Sequence, residues 1–339
     1  MTMKAVICRE FAPRAELTLE DIPSPAPGAG EVLIDVEACG INFFDGLMVE
    51  GNYQTRPDRP FTPGSEVAGI VSAVGDGVTS IKPGQRVLAF NGTGGYAEQA
   101  IALAERVYRI PDSMRFEEAA GFLITYATSH HALKDRAGLR AGETLLVLGA
   151  AGGVGLTAVE IGKQLGARVI AAASTEEKLA LCRQHGADET INYAQEDLRA
   201  KLRELTDGRG VDVVYDPVGG ATSETALRGL AVNGRHLVIG FAAGDIPRIA
   251  INLLLLKQSS LIGVFWGAFA RANPALQSAN MVELFSWFEQ GKLKPHICAV
   301  HPLSGYAEAL DAVMERTARG KVVLAVKAQG GDRNERAAA

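Results

Sequence analysis

The sequence predicts an α/β protein of two domains, a compact and mostly antiparallel barrel followed by a doubly wound parallel sheet. Two observations carry this. Residues 1–125 are rich in Gly, Pro and Val, and their short β-like runs ("EVLIDVEACG", "EVAGIVSAVG", "QRVLAF", "YAEQAIA", "RVYRI") are punctuated by "PSPAPGAG" and "KPGQ". From Thr144 onward, six short β-branched runs alternate with helical stretches, the pattern of a parallel sheet with crossover helices. A chain of 339 residues also exceeds what one core usually spans.

The barrel runs end at Phe116, where "FEEAAGFLITYATSHHAL" reads as helix. Next come the strand "TLLVLG", a helix through Gln164, the strand "RVIAAAS" and a helix through His185. The strands "TINY", "VDVVYD", "GRHLVIG" and "SLIGVF" complete the sheet. After Phe265 two further helices, "MVELFSWFEQG" and "YAEALDAVMERTARG", precede one last strand, "KVVLAV". The tail 328–339, "AQGGDRNERAAA", is polar and expected to be disordered.

Charge narrows the function classes. A net charge of −5 gives no broad attraction to nucleic acid or to an acidic membrane surface. The most apolar run, "IAINLLLLKQSSLIGVFWGAF", is broken by Lys257 and Gln258 and is unsuited to spanning a bilayer. The opening "MTMKAVICREF" lacks the apolar stretch of a signal peptide. Cys8, Cys39, Cys182 and Cys298 are scattered with no C-x-x-C pair, so reduced thiols in a cytoplasmic protein are expected.

"TLLVLGAAGGVGLTAVEIGKQLG" places a strand, a tight glycine turn and a helix in succession. Ala150, Gly152 and Gly155 stand at the three positions of the dinucleotide fingerprint, with Gly153 and Val154 between the last two. Gly152 lets the backbone approach a pyrophosphate, Gly155 permits close strand–helix packing, and the helix N-terminus holds the phosphates. The next strand decides which dinucleotide. An NAD site carries an acid against the ribose about 20 residues on, but here Ala173 and Ser174 stand there. Nothing repels a 2′-phosphate, and Ser174, Thr175 and Lys178 offer it partners, so NADPH is expected. The competing role for Ser174 is a helix cap, since Ser174-x-x-Glu177 has the form of a capping box.

Through "FTPGSEVAG" and onward to Val78, the residues Gly64, Glu66, Gly69, Gly75 and Val78 keep the spacing G-x-E-x-x-G-(x5)-G-x-x-V. That spacing resembles the zinc-site signature of medium-chain alcohol dehydrogenases, in which Ser65 would be a zinc-binding His. A hydroxyl is a poor zinc ligand. All six histidines lie after residue 129, so the barrel has no imidazole to offer. No close cluster of cysteines exists to build a second, structural zinc site. A zinc-free protein is expected.

With "ACGINFFDGLMVEGNYQ", "PFTPGSEVAGIVSAVG", "GETLLVLGAAGGVGL", "VDVVYDPVGG" and "GKVVL", the chain resembles the zinc-independent medium-chain dehydrogenase/reductases of the NADPH:quinone oxidoreductase, or zeta-crystallin-like, family. The resemblance covers nearly the whole length. It implies a GroES-like catalytic domain at 1–125, a Rossmann NADPH-binding domain at 126–265 and a return to the catalytic domain at 266–327. One departure is Glu160, where the family pattern usually has Gln. In the zinc relatives the position of Asn42 is a cysteine ligand, and Cys39 is offset from it. Of that ligand set only Glu66 persists, read as structural.

The resemblance implies Asn42, Asp45 and Tyr53 around nicotinamide and substrate. Asn42 would orient either through its amide, Tyr53 would face the substrate, and Asp45 would organise them. It further places Thr125 near the carboxamide, Tyr193 beside the adenosine phosphate, and Gly240, Phe241, Val264 and Phe265 along the nicotinamide. Adjacent His130 and His131 face different directions on a helix and are read as packing or surface residues.

The implied reaction is metal-free hydride transfer from NADPH to a quinone, with neutral donors stabilising the oxyanion. Reduction of an activated C=C bond (enone, acrylate or enoyl thioester) is the alternative within the fold. For a thioester, Arg56 and Arg59 would offer a basic rim. A non-enzymatic, crystallin-like NADPH-binding role is the alternative outside it. A homodimer is expected through the apolar, charge-free edge "SSLIGVFWGAF", around Leu261–Phe265.

Overall fold

The computed structural model describes residues 1–327; the tail expected to be disordered lies outside the described residues. The chain divides into two compact units, Met1–Ile124 together with Pro295 onward, and Thr125–Lys294.

In the first unit the strands run, in spatial order, Ile297–Pro302, Lys321–Ala325, Glu31–Gly40, Glu66–Val74, Arg86–Phe90 and Val107–Arg109, with Gln99–Leu103 also paired to Glu31–Gly40. Only the pair Ile297–Pro302 and Lys321–Ala325 is parallel. Glu31–Gly40 is buried along most of its length rather than at alternate positions. It pairs on both edges, and register shifts at Leu33/Ile34 and Val36/Ala38 bend it. Such bulges re-aim side chains and curl a sheet toward closure. Its core joins Val32, Ile34 and Val36 to Val67, Val87 and Leu324. A separate ribbon, Thr2–Ile7 with Thr18–Pro23, was not legible as strands in the sequence.

The second unit is a six-stranded parallel sheet in the order Glu189–Asn192, Arg168–Ala173, Thr144–Leu148, Val211–Asp216, Leu230–Val238, Ser260–Gly263. Counted in chain order from Thr144–Leu148, the third, second, first, fourth, fifth and sixth strands lie side by side, the order of a dinucleotide-binding sheet. Thr144–Leu148 is buried throughout, as a central parallel strand covered on both faces must be.

Four boundaries differ from the sequence reading. The helix expected from Phe116 is interrupted at Gly121, giving Phe116–Ala120 and Leu123–His130. The sixth strand ends at Gly263, so Val264 and Phe265 lie beyond it. An additional strand, Ile297–Pro302, precedes the final one. The return to the first unit begins at Pro295 rather than at 266. Helices Trp266–Ala272 and Pro274–Glu289 belong to the second unit because side chains tie them there. Phe269 stacks on His131 at 3.7 Å, and Glu283 takes His130 and Lys134. Asn280 donates to Asp135 at 3.1 Å. The two adjacent histidines are thus packing residues.

Candidate active site

The glycine turn of the second unit is shaped for a pyrophosphate. A Cβ at Gly155 would sit 2.3 Å from the Gly149 carbonyl oxygen and 2.8 Å from the Ala150 Cα, so only glycine lets the helix Gly153–Gln164 seat against the turn. Gly152 caps that helix, and a Cβ there meets only the Gly149 oxygen, at 3.3 Å. The far side is open to a ligand. The first-turn N–H groups of Gly153, Val154 and Gly155 have no carbonyl four residues back and suit an anion. Ala150 is fully buried beneath them. These residues fit the diphosphate of a dinucleotide.

The second strand ends at Ala173 and is followed by Ser174, with no carboxylate at either position. The helix begins at Glu176, so Thr175 and not Ser174 is its cap, the Thr175 Oγ1 accepting the Lys178 N–H at 3.3 Å. Ser174 stands one residue too early to cap. The Lys178 ammonium makes no ion pair among the described residues, whereas Glu176 is held by Arg183. Tyr193 follows the third strand, and its N–H donates to the Ala173 oxygen at 3.2 Å. Tyr193 and Ser174 therefore flank one strand end.

On the other half of the sheet, the Gly240 N–H reaches the Asp216 carbonyl at 3.4 Å and the Val264 N–H donates to the Val238 oxygen at 3.0 Å. Gly240, Phe241 and Val264 thus lie at the carboxyl ends of neighbouring strands, where doubly wound sheets bind ligands. Phe241 and Phe265 are both more than a third exposed. Thr125 is buried, and its carbonyl accepts the Thr157 hydroxyl at 3.1 Å, which ties it to the helix after the glycine turn. Glu160 on that helix accepts from the Tyr126 hydroxyl at 2.6 Å and bonds His185 Nδ1 at 2.7 Å. The departure from Gln is accommodated by a histidine partner.

The first unit builds a buried polar network from residues far apart in sequence. Asn42 stands at the N-cap of the helix Phe43–Val49, where its N–H donates to Asp45 Oδ2 at 2.8 Å and its backbone oxygen accepts the Asp45 N–H at 3.0 Å. Asp45 is fully buried and also accepts from the Ser65 hydroxyl at 2.7 Å and the Tyr96 hydroxyl at 3.4 Å. Burial raises its pKa from 3.8 to about 6, against the lowering pull of the Ser65 and Asn42 hydrogen bonds. Burial also raises the Cys39 thiol well above its ordinary value, which leaves it a protonated and inert packing group.

Both ends of the Asn42 amide are engaged. Nδ2 donates to Glu66 Oε1 at 3.0 Å, and Oδ1 accepts from the Lys321 ammonium at 2.7 Å. The same ammonium donates to Glu66 Oε1 at 2.5 Å, and Glu66 Oε2 accepts the Ile124 N–H at 2.9 Å. Sequence reasoning missed Lys321, although it stands in the "GKVVL" run. The available signal was a lysine opening an otherwise apolar strand, 5% exposed where strand lysines are ordinarily solvated. Tyr53 lies half-buried with its ring stacked on Phe44, centroids 5.3 Å apart.

An antiparallel GroES-like unit and a six-stranded dinucleotide sheet with a Gly152/Gly155 turn define a medium-chain dehydrogenase/reductase. Residues 28–112 match the alcohol dehydrogenase GroES-like domain and residues 153–281 the zinc-binding dehydrogenase domain. The chain is 40% identical over 328 residues to quinone oxidoreductase-like protein 2 homolog of Nematostella vectensis, covering 96% of this chain and 89% of that one. It is 36% identical over 325 residues to the quinone oxidoreductase of Homo sapiens, covering 95% and 97%. The structure of Escherichia coli quinone oxidoreductase complexed with NADPH superposes with a TM-score of 0.89 at 29% identity, over 95% of this chain and 100% of that one. This chain belongs to the quinone oxidoreductase family.

Proposed function

We propose that the protein is an NADPH-dependent quinone reductase that works without a metal. The observation that carries this reading is the Lys321 ammonium lodged between Asn42 and Glu66. A hydroxyl, an amide and a carboxylate already neutralised by an internal cation make a poor zinc donor set. Among the described residues no three His, Cys, Asp or Glu side chains are arranged so that they could hold a metal ion. A quinone gains aromatic stabilisation as it is reduced, so it needs less polarisation than a simple ketone. The named quinone oxidoreductases among its relatives support the same acceptor.

Bound NADPH supplies the hydride. Gly152, Gly153, Val154 and Gly155 hold its diphosphate. Ser174, Thr175 and Lys178 take its 2′-phosphate, with Tyr193 alongside. Thr125, Gly240, Phe241, Val264 and Phe265 border the nicotinamide. In the first unit Asn42 and Tyr53 orient the acceptor, and Asp45 holds Asn42 by accepting its N–H.

The test is NADPH oxidation against a panel of quinones, enones and enoyl thioesters, with and without a chelator. Quinone turnover that survives chelation is expected; turnover lost to the chelator, with zinc near one equivalent, refutes the metal-free reading. Lys178→Ala should weaken NADPH by about 10- to 100-fold and NADH hardly at all, since a charge-assisted contact contributes about 1–3 kcal/mol. Equal loss for both cofactors would remove Lys178 as the discriminator.

The active form is proposed to be a homodimer paired through the second unit. Its edge strand Ser260–Gly263 has one neighbour, and Leu261, Phe265, Leu255 and Leu256 beside it are exposed at 42%, 46%, 79% and 73%. The strand carries one charged contact, Arg136 Nε donating to the Gly263 oxygen at 3.3 Å, but its own side chains are uncharged; such an apolar edge invites a second strand, and a two-fold axis pairs like with like. Light scattering at micromolar concentration should give a dimer mass, and the double substitution Ile262→Lys with Val264→Lys should give monomers. A dimer that persists in that variant uses another surface. None of the described helices is long and apolar enough to cross a membrane, and the four free cysteines suit a reducing cytoplasm.

A further inference from the structure

The Lys321 side chain enters the first unit's network from the last strand of the chain. Its stem passes Gly121, where a Cβ would lie 2.8 Å from the Lys321 Cγ. The side chain is 6% exposed, and its ammonium meets two acceptors, Asn42 Oδ1 at 2.7 Å and Glu66 Oε1 at 2.5 Å. An asparagine amide is nearly symmetric in shape, so what decides its orientation is the donors and acceptors around it. Glu66 holds Nδ2, and the charged donor on Oδ1 is the ammonium. The ammonium pins the oxygen end and removes the flip.

Asn42 is also the cap of Phe43–Val49. Its backbone N–H and carbonyl bond Asp45 in the first turn, so a pinned amide anchors the residue from which that helix starts, with Phe44 and, stacked on it, Tyr53 following. Neutralising Glu66 and pinning Asn42 are separable jobs. Glu66 already accepts the Asn42 Nδ2 and the Ile124 N–H, whereas the Asn42 oxygen draws its charge-assisted bond from the ammonium alone.

We propose that Lys321 is a positioning residue of the reaction, holding the Asn42 amide and the segment from Asn42 to Tyr53 in one orientation toward the acceptor. This rests on the reading in which Asn42 and Tyr53 face that acceptor.

The test is a double-substitution cycle in a Glu66→Gln background, so that removing the lysine does not strand the Glu66 carboxylate. In that background Lys321→Met should lower kcat by about 10- to 100-fold, the size expected when a reacting group is displaced by a fraction of an ångström to an ångström. The KM for NADPH should stay within about two-fold, because the cofactor residues lie elsewhere. The primary isotope effect with 4-deuterated NADPH should rise as hydride transfer becomes slower. Adding Asn42→Ala should then cost nothing further, since the lysine acts through that amide.

Two results overturn the proposal. A Glu66→Gln, Lys321→Met variant with unreduced kcat makes the ammonium a counterion only. Multiplicative losses from Lys321→Met and Asn42→Ala give the two residues independent roles. Wild-type protein that reduces enones but no quinone refutes the proposed function alone, and the cycle is then read on enone turnover. Wild-type protein inert toward every acceptor refutes both.

Discussion

Asp45→Ala is expected to lower the stability of the first unit by about 4 kcal/mol, a large share of a domain's whole margin. The Asn42 N–H, the Ser65 hydroxyl and the Tyr96 hydroxyl all point at this carboxylate inside a dry core. Alanine takes the carboxylate acceptor from the Asn42 N–H and the Tyr96 hydroxyl, leaves Ser65 only the Gly92 oxygen, and adds a void. Asp45→Asn behaves differently. Its oxygen keeps the Asn42 N–H, and its NH₂ faces Ser65, whose hydroxyl is then free to donate wholly to the Gly92 oxygen, 2.9 Å away.

The pH dependence separates the two forms. Asp45 has its pKa raised from 3.8 to about 6 in the fold, so between those values the folded chain binds more protons than the unfolded one. Stability from this group is therefore complete below about pH 4 and falls as pH rises toward and through about 6. The integrated loss is about 3 kcal/mol. Asp45→Asn cannot ionise and lacks the fall, so its melting temperature should gain on wild type between about pH 4 and about pH 7. Parallel melting curves across that range would show that the carboxylate stays charged throughout.

Gly155→Val should abolish useful cofactor binding, weakening NADPH by at least about 100-fold, near 3 kcal/mol. A side chain cannot occupy the 2.3 Å between that Cβ position and the Gly149 oxygen. The helix must move off the turn, carrying with it the N–H groups that meet the phosphates. Gly152→Ala is the informative companion. Its Cβ meets one protein atom at 3.3 Å and otherwise open space, so its melting temperature should stay near wild type while NADPH binding falls. If Gly155→Val binds normally, or if Gly152→Ala loses fold and binding together, the turn does not work as described. Fluorescence titration and melting measure both.

The second unit was the more legible part of the sequence because its signals are local. A buried parallel strand reads as an apolar run, and a glycine forced by a backbone collision appears at a fixed spacing. The glycines of "GAAGGVG" and the missing acid at Ala173 and Ser174 could thus be read from one short window each. The competing cap at Ser174 falls to Thr175, one residue on; both are competent caps, and the helix that buries Leu179 and Cys182 begins at Glu176. The extent of the second unit was misjudged because Phe269, Asn280 and Glu283 reach residues near 130, contacts no local pattern encodes. The same limit hid Lys321, whose partners lie 255 and 279 residues away. Asn42, Asp45 and Ser65 were visible as substitutions in a spacing pattern. Which of them bonded to which was not.

The last strand carries a consequence for how the chain is made. On a ribosome, the barrel's first strands and Glu66 emerge early, and then Thr125 to Lys294 must be synthesised before Pro295 appears. At ordinary elongation rates that is a wait of roughly ten to thirty seconds. During it, the edge that Lys321–Ala325 will occupy on Glu31–Gly40 stands unpaired, and Glu66 has no cation beside it. The second unit has all its strands in hand and can finish first. The polar network therefore closes only after the second unit has been made, and a polypeptide released before Lys321 would carry a completed nucleotide sheet and an unsealed barrel. That species has the open strand edge and stranded charge that chaperones and proteases recognise, so the ammonium also marks a first unit whose sheet is closed.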